Sequence, residues 1–171
     1  MREQPMELTA ILCNHAEAQN NLLYVMGGGV DRAVIPAGRS GPFTVSLALG
    51  IIAEVPWTPT NEEHTVTVDL ADEDGHPVEV DKGFGEREPF RAQFRFNVGR
   101  PHDLEEGETQ SVAFAVNMPL LQLEKLGRYA FTVTIDDDVR RRLHYRLVGQ
   151  TGVTITSNEP TSSRGPLIPR V

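Results

Sequence analysis

Apolar and polar residues alternate along much of the chain, most clearly over residues 90–98. Phe90, Ala92, Phe94, Phe96 and Val98 fall on one side, and Arg91, Gln93, Arg95 and Asn97 on the other. Side chains of a β-strand point alternately to its two faces, so this run predicts a strand with one dry and one wet face. Val112, Phe114, Val116 and Met118 repeat the pattern. Tyr129, Phe131, Val133 and Ile135 repeat it again, with Ala130, Thr132 and Thr134 opposite. Leu143, Tyr145 and Leu147 make a shorter version that sends Arg142, His144 and Arg146 outward. Residues 64–70 put Val66, Val68 and Leu70 inward. They lead into Asp72-Glu73-Asp74-Gly75, a hairpin signal, with residues 77–80 as the return strand.

The N-terminal third reads as strands that are more deeply buried. Residues 8–18 predict one long strand, Asn20-Asn21 a turn, and residues 22–26 the return before Gly27-Gly28-Gly29. Residues 43–55 predict a further long strand, bent at Gly50. The single helical expectation is a turn over residues 119–126, stopped by Gly127. About eight or nine strands at short spacing, joined by connections of unequal length, predict an all-β chain. The expected architecture is an antiparallel Greek-key, immunoglobulin-like β-sandwich with an extended C-terminal tail. Residues 1–6 read as an arm, 7–156 as the sandwich and 157–171 as a Pro- and Ser-rich tail. Leu167, Ile168 and Val171 are the tail's expected anchors if a partner holds it.

Composition narrows the functional classes. Hydrophobic residues make up 39% and charged residues 23% of 171 residues, a balance that supports one folded domain. The net charge of −8 disfavours general nucleic-acid binding, because a phosphate backbone repels an acidic chain. The charge is uneven: residues 1–60 carry a net −2, residues 61–110 a net −9 and residues 111–171 a net +3. Solvated loops explain this most simply. The sharper explanation is an acidic and a basic patch that meet in a homo-oligomer or face a protein partner. Cys13 is the sole cysteine, so no intramolecular disulfide forms. No run is apolar enough for a spanning helix, and Met1-Arg2-Glu3-Gln4-Pro5 has no signal-peptide core. The expectation is a cytoplasmic protein without a membrane role, or alternatively a virion component.

The opening Ala10-Ile11-Leu12-Cys13-Asn14-His15-Ala16-Glu17, then Asn20, Leu23-Tyr24 and Gly27-Gly28-Gly29, resembles a bacterial family of uncharacterised proteins common in actinobacteria. Pro56-Trp57, His64, the Asp72–Gly75 turn and Gly127-Arg128-Tyr129-Ala130-Phe131 fit the same resemblance, which spans most of residues 7–148. The chain departs from the family pattern at Asn14, where Asp is usual, and at Asn21, where Gly is usual. A role needing a carboxylate at position 14 does not carry over. The resemblance implies a sandwich fold and no established activity.

Candidate chemistry is sparse. His15 and Glu17 share a strand face and His64 begins another strand, so the three form a candidate Zn²⁺ site for a metal-assisted hydrolase. No HxH, CxxC or HExxH spacing supports it, and a lone histidine in a sandwich is more often a hydrogen-bonded structural residue. Cys13 shares a face with Ile11 and reads as a small buried hydrophobe rather than a nucleophile. Gly27-Gly28-Gly29 follows a strand, but no Lys-Ser/Thr and no helix follow, so it reads as a turn rather than a phosphate loop. Asp72 and Asp74, like Asp136-Asp137-Asp138, could gather around Ca²⁺, although hairpin turns explain both clusters. Trp57, between Pro56 and Pro59 and near His64, could stack on a sugar or anchor a partner. Arg140 and Arg141 follow the Asp triplet and could pair with it or with a neighbour, for about 0–1 kcal/mol each.

No nucleophile–base signature emerges and no cofactor is implied. The reading is a non-enzymatic binding or structural module, with a part in a larger assembly, such as a phage capsid decoration protein, as one form of it. The alternatives are the hydrolase and a carbohydrate- or small-ligand-binding domain at Trp57.

Overall fold

The alternating runs form strands in the computed structural model, which describes residues 5–151 apart from Lys82, Phe84 and Asp103. The tail and its anchors Leu167, Ile168 and Val171 lie outside the described residues. In chain order the strands are β1 (Glu7–Cys13), β2 (His15–Gln19), β3 (Leu22–Met26), β4 (Arg32–Ile35), β5 (Phe43–Pro56) and β6 (Glu63–Asp72). They continue as β7 (Glu79–Asp81), β8 (Arg87–Pro89), β9 (Arg91–Asn97), β10 (Thr109–Leu123), β11 (Gly127–Ile135) and β12 (Asp138–Gly149). The fold is all-β, and no helix among the described residues is long and apolar enough to cross a membrane.

The strands form a three-stranded sheet, β1-β5-β10, and a five-stranded sheet, β4-β12-β11-β6-β9, with two small hairpins, β2-β3 and β7-β8. Both larger sheets feed one apolar core. Leu47, Leu49 and Ile51 come from β5, Val66, Val68 and Leu70 from β6, and Phe131, Val133 and Ile135 from β11. Each such side chain contributes about 1.5–3 kcal/mol by leaving water. The pairing is antiparallel throughout except for β4, which runs parallel to β12.

Several expectations are corrected. The strand expected over residues 8–18 is two strands, because the β1–β5 ladder ends at Cys13 and the chain turns out at Asn14 into the β2–β3 hairpin. Asn14 N–H then donates to Met26 O at 3.0 Å, and Gly29 N–H to Leu12 O at 2.8 Å. The helical turn expected over residues 119–126 is instead the continuation of β10. Its register with β5 shifts between Met118 and Leu121, so Pro119 and Leu120 share one bulge. A bulge removes one ladder position, which suits a proline that has no N–H to donate.

Gly50 is not a bend, since its pairing with β1 and β10 is unbroken there. The return strand expected over residues 77–80 makes only a bridge to β6, after which β7 pairs with β8. The Asn20-Asn21 turn forms as expected, both residues holding positive φ of 51° and 59° as a tight hairpin requires.

Candidate functional site

One face of the five-stranded sheet lies on the core and the other meets solvent. Register fixes which side chains share the solvent face. Arg146 pairs with Arg32 on β4 and with Arg128 on β11; His144 pairs with Ala130, and Arg142 with Thr132. Thr132 pairs onward with Asp69 and Thr134 with Thr67 on β6, while Asp69 pairs with Arg91 and Thr65 with Arg95 on β9. The face therefore presents Arg32, Arg91, Arg95, Arg128, Arg142 and Arg146, with only Asp69 and Glu63 as strand acids. Small residues occupy its centre: Ala71 and Thr67 on β6, Ala130, Thr132 and Thr134 on β11. Arginines on β12 and β9 flank this floor, about 14 Å apart at three strand spacings.

Two of these arginines are already engaged. Arg91 Nε and Nη2 donate to Asp69 Oδ1 and Oδ2 at 2.7 and 3.1 Å. Arg32 makes the same fork with its neighbour Asp31, at 2.9 and 2.8 Å. Arg95, Arg128, Arg142 and Arg146 have no carboxylate within salt-bridge distance among the described residues. At the β4–β12–β11 end the face opens into a cavity of about 740 Å³, lined by Arg32, Arg128, His144 and Arg146, by the acids Asp31, Asp72 and Glu73, and by Tyr129 and Tyr145.

The residues singled out in the sequence are dispersed. His15 and Glu17 share the outward face of the β2–β3 hairpin, His15 Nε2 lying 3.1 Å from Glu17 Oε1. His64 is buried on β6, so the three do not make the ligand set expected of a hydrolase. His64 Nδ1 is 2.7 Å from Asp136 Oδ2 and its Nε2 is 3.1 Å from Pro59 O. Both partners are acceptors, so the geometry suits the doubly protonated ring, which donates from both nitrogens. Burial pulls the His64 pKa down. The hydrogen bonds to Asp136 and Pro59, with the charges of Asp136 and Glu62, outweigh burial and leave it above its ordinary value. Asp136 Oδ1 also accepts Thr65 N–H at 2.8 Å, so this acid ties the β11–β12 turn to β6.

Asp72 and Asp74 do come close, joined by His76. Asp72 Oδ1 accepts the N–H groups of Asp74 and His76 at 3.0 and 2.9 Å, which is how an aspartate shapes its own turn. Burial acts to raise the Asp72 pKa. Those two backbone bonds, with the charges of His76 and Lys125, overcome it and hold the carboxyl below its usual range. Trp57 is half-buried, and the Arg100 guanidinium lies 3.8 Å from its ring centroid. Arg100 is fixed there by bonds to Thr60 Oγ1 at 2.7 Å and Trp57 O at 3.0 Å. Arg140 sits where β12 slips register against β11, 3.4 Å from Asp138, with its Nε buried and unpartnered among the described residues; Arg141 is exposed. Cys13 is buried, and burial pushes its thiol pKa up.

Sequence reasoning placed Arg142, His144 and Arg146 outward but missed their alignment with Arg32 and Arg128. Alternation reports the face of one strand. It does not report which distant strands lie beside it.

Residues 8–148 match a family of unknown function (DUF6941), and the chain belongs to it. That agrees with the resemblance to uncharacterised proteins. No curated protein matches the chain.

Proposed function

We propose that this member of a family of unknown function is a non-enzymatic binding module that seats an acidic protein partner on the outward face of its five-stranded sheet. The observation that carries the reading is the arginine set of that face in a chain whose net charge is −8. Cations concentrated on one surface of an anionic molecule steer and orient a complementary partner. The flanked floor of Ala and Thr leaves room for an extended segment between the β12 and β9 arginines. A long nucleic acid is less suited, because the acidic remainder of the chain repels a polyanion.

We further read the fold as an immunoglobulin-like Greek-key sandwich. The support is its strand order, in which β1, β5 and β10 stand where A, B and E would, and β6, β11 and β12 where C, F and G would. Tyr129 adds to this. It stands near the start of β11, and its hydroxyl donates to Lys125 O at 2.7 Å and accepts Lys125 N–H at 3.2 Å, as a tyrosine corner does. Such sandwiches work as recognition scaffolds, and in a larger assembly, capsid decoration included, the same face would seat the chain on its neighbour. A hydrolase is less supported because His64, buried against Asp136 and Pro59, stands apart from the His15–Glu17 pair. A sugar platform is less supported because Arg100 already covers Trp57.

The test is calorimetric titration of the full chain with a blocked hexaglutamate peptide at low salt and again at 0.5 M salt. Binding that weakens steeply with salt, and further in Arg95→Gln/Arg142→Gln, is the expected result. No binding at low salt, or tighter binding of single-stranded DNA than of the peptide, would overturn the reading.

A further inference from the structure

We infer that the cavity at the β4–β12–β11 end is a carboxylate clamp, formed by Arg128 and Arg146, that fixes the partner's register on the face; the inference rests on the reading of that face as a binding surface. Three arginines stand directly abreast here, Arg32 beside Arg146 and Arg146 beside Arg128. Like charges placed directly opposite across neighbouring strands repel, so the row lacks an anion. The chain supplies only part of it. Asp31 is committed to Arg32 through two bonds. Asp72 is committed to its own turn and lies 3.8 Å from Lys125 Nζ. Glu73 stands over Gly127, its Oε1 3.2 Å from where a Cβ would sit, and makes no ion pair among the described residues.

Arg128 and Arg146, partners across β11 and β12, are thus left without a carboxylate of their own among the described residues, and both line a cavity of about 740 Å³. The planar guanidinium fork matches the two oxygens of a carboxylate, and two forks side by side hold one carboxylate in a set orientation. The fit is to a side-chain carboxylate of an acidic polypeptide segment that continues along the Ala/Thr floor.

The experiment compares two double variants of the full chain that each remove two unpaired arginines: Arg128→Gln/Arg146→Gln in the cavity and Arg95→Gln/Arg142→Gln outside it. Both lower the charge of the face equally, so a difference between them reports the clamp. Titrated with blocked hexaglutamate, the cavity variant should bind roughly tenfold or more weakly than the other. Its thermal midpoint should equal or exceed that of the unsubstituted chain, because the substitution relieves repulsion. Equal weakening in the two variants would overturn the clamp and leave the face reading intact. Absence of peptide binding to the unsubstituted chain would overturn the face reading and the clamp with it. Inorganic phosphate binding as tightly as the peptide and lost in the cavity variant would mark an adventitious ion only, which also overturns the clamp.

Discussion

The two larger sheets treat their outward faces in opposite ways. The three-stranded sheet is roofed by its own chain: the β2–β3 hairpin lies on it, and Cys13, Ala16 and Ala48 are buried together beneath, with Leu23 and Ala115 packed against them. Ala48, Gly50 and Ala115, which face the hairpin, are small because the roof is close. A Cβ added to Gly50 would come within 3.0 Å of Leu23 and 3.2 Å of Val25. Asn117 anchors the roof, its Oδ1 accepting Ala16 N–H at 3.1 Å and its Nδ2 donating to Ala16 O at 2.8 Å, as a neighbouring strand would. The outward face of the five-stranded sheet is equally small at its centre, yet nothing of the described chain lies over it, and arginines flank it. Small residues under a roof are a packing requirement. Small residues between flanking arginines leave an open floor.

The comparison can be broken most forcefully at Gly50. Gly50→Val drives methyl groups into Leu23 and Val25 and should cost about 1–3 kcal/mol in urea unfolding. Thr132→Val on the bare face should stay within about 0.5 kcal/mol. Equal costs would mean that the two faces do not differ in cover. Asn117→Ala comes next: it removes both partners of the Ala16 backbone and should cost about 1–2 kcal/mol, with faster amide exchange confined to β2 and β3. Unchanged exchange in the hairpin would show that the roof does not depend on this side chain.

The smallest effect sharpens the other side, where His64 and Asp136 hold the end of the bare sheet. The His64 pKa is raised on folding from an ordinary value of 6.5. Its contribution is therefore complete below about pH 6.5 and is lost as pH rises through the folded value. His64→Gln should flatten the pH dependence of the thermal midpoint above pH 6.5, the gap to the unsubstituted chain closing as pH rises. Parallel profiles would contradict the cationic latch.

These contrasts were only partly legible in the sequence. Strict alternation in β9, β11 and β12 betrayed the sheet and its dry side, since each inward residue meets the core at a period of two. β10 concealed its second half because the bulge at Pro119 and Leu120 breaks that period and imitates helical spacing. β4, β7 and β8 are too short to show a period at all. Asn14 gave no sign that the strand would leave its sheet there. Trp57 looked bare because Arg100, which covers it, arrives from a loop far along the chain. The arginine row is a property of register between β4, β11 and β12, and register is decided by the core and not by the residues that end up abreast.

The burial of Cys13 has a practical corollary. Its thiol, the chain's sole sulfhydryl, is sealed where β1 gives way to the hairpin. A disulfide reagent can reach it only during moments when that flap lifts. When reclosing outpaces modification, the rate in native buffer divided by the rate for the unfolded chain gives the fraction of time the thiol is open, read without adding a cysteine.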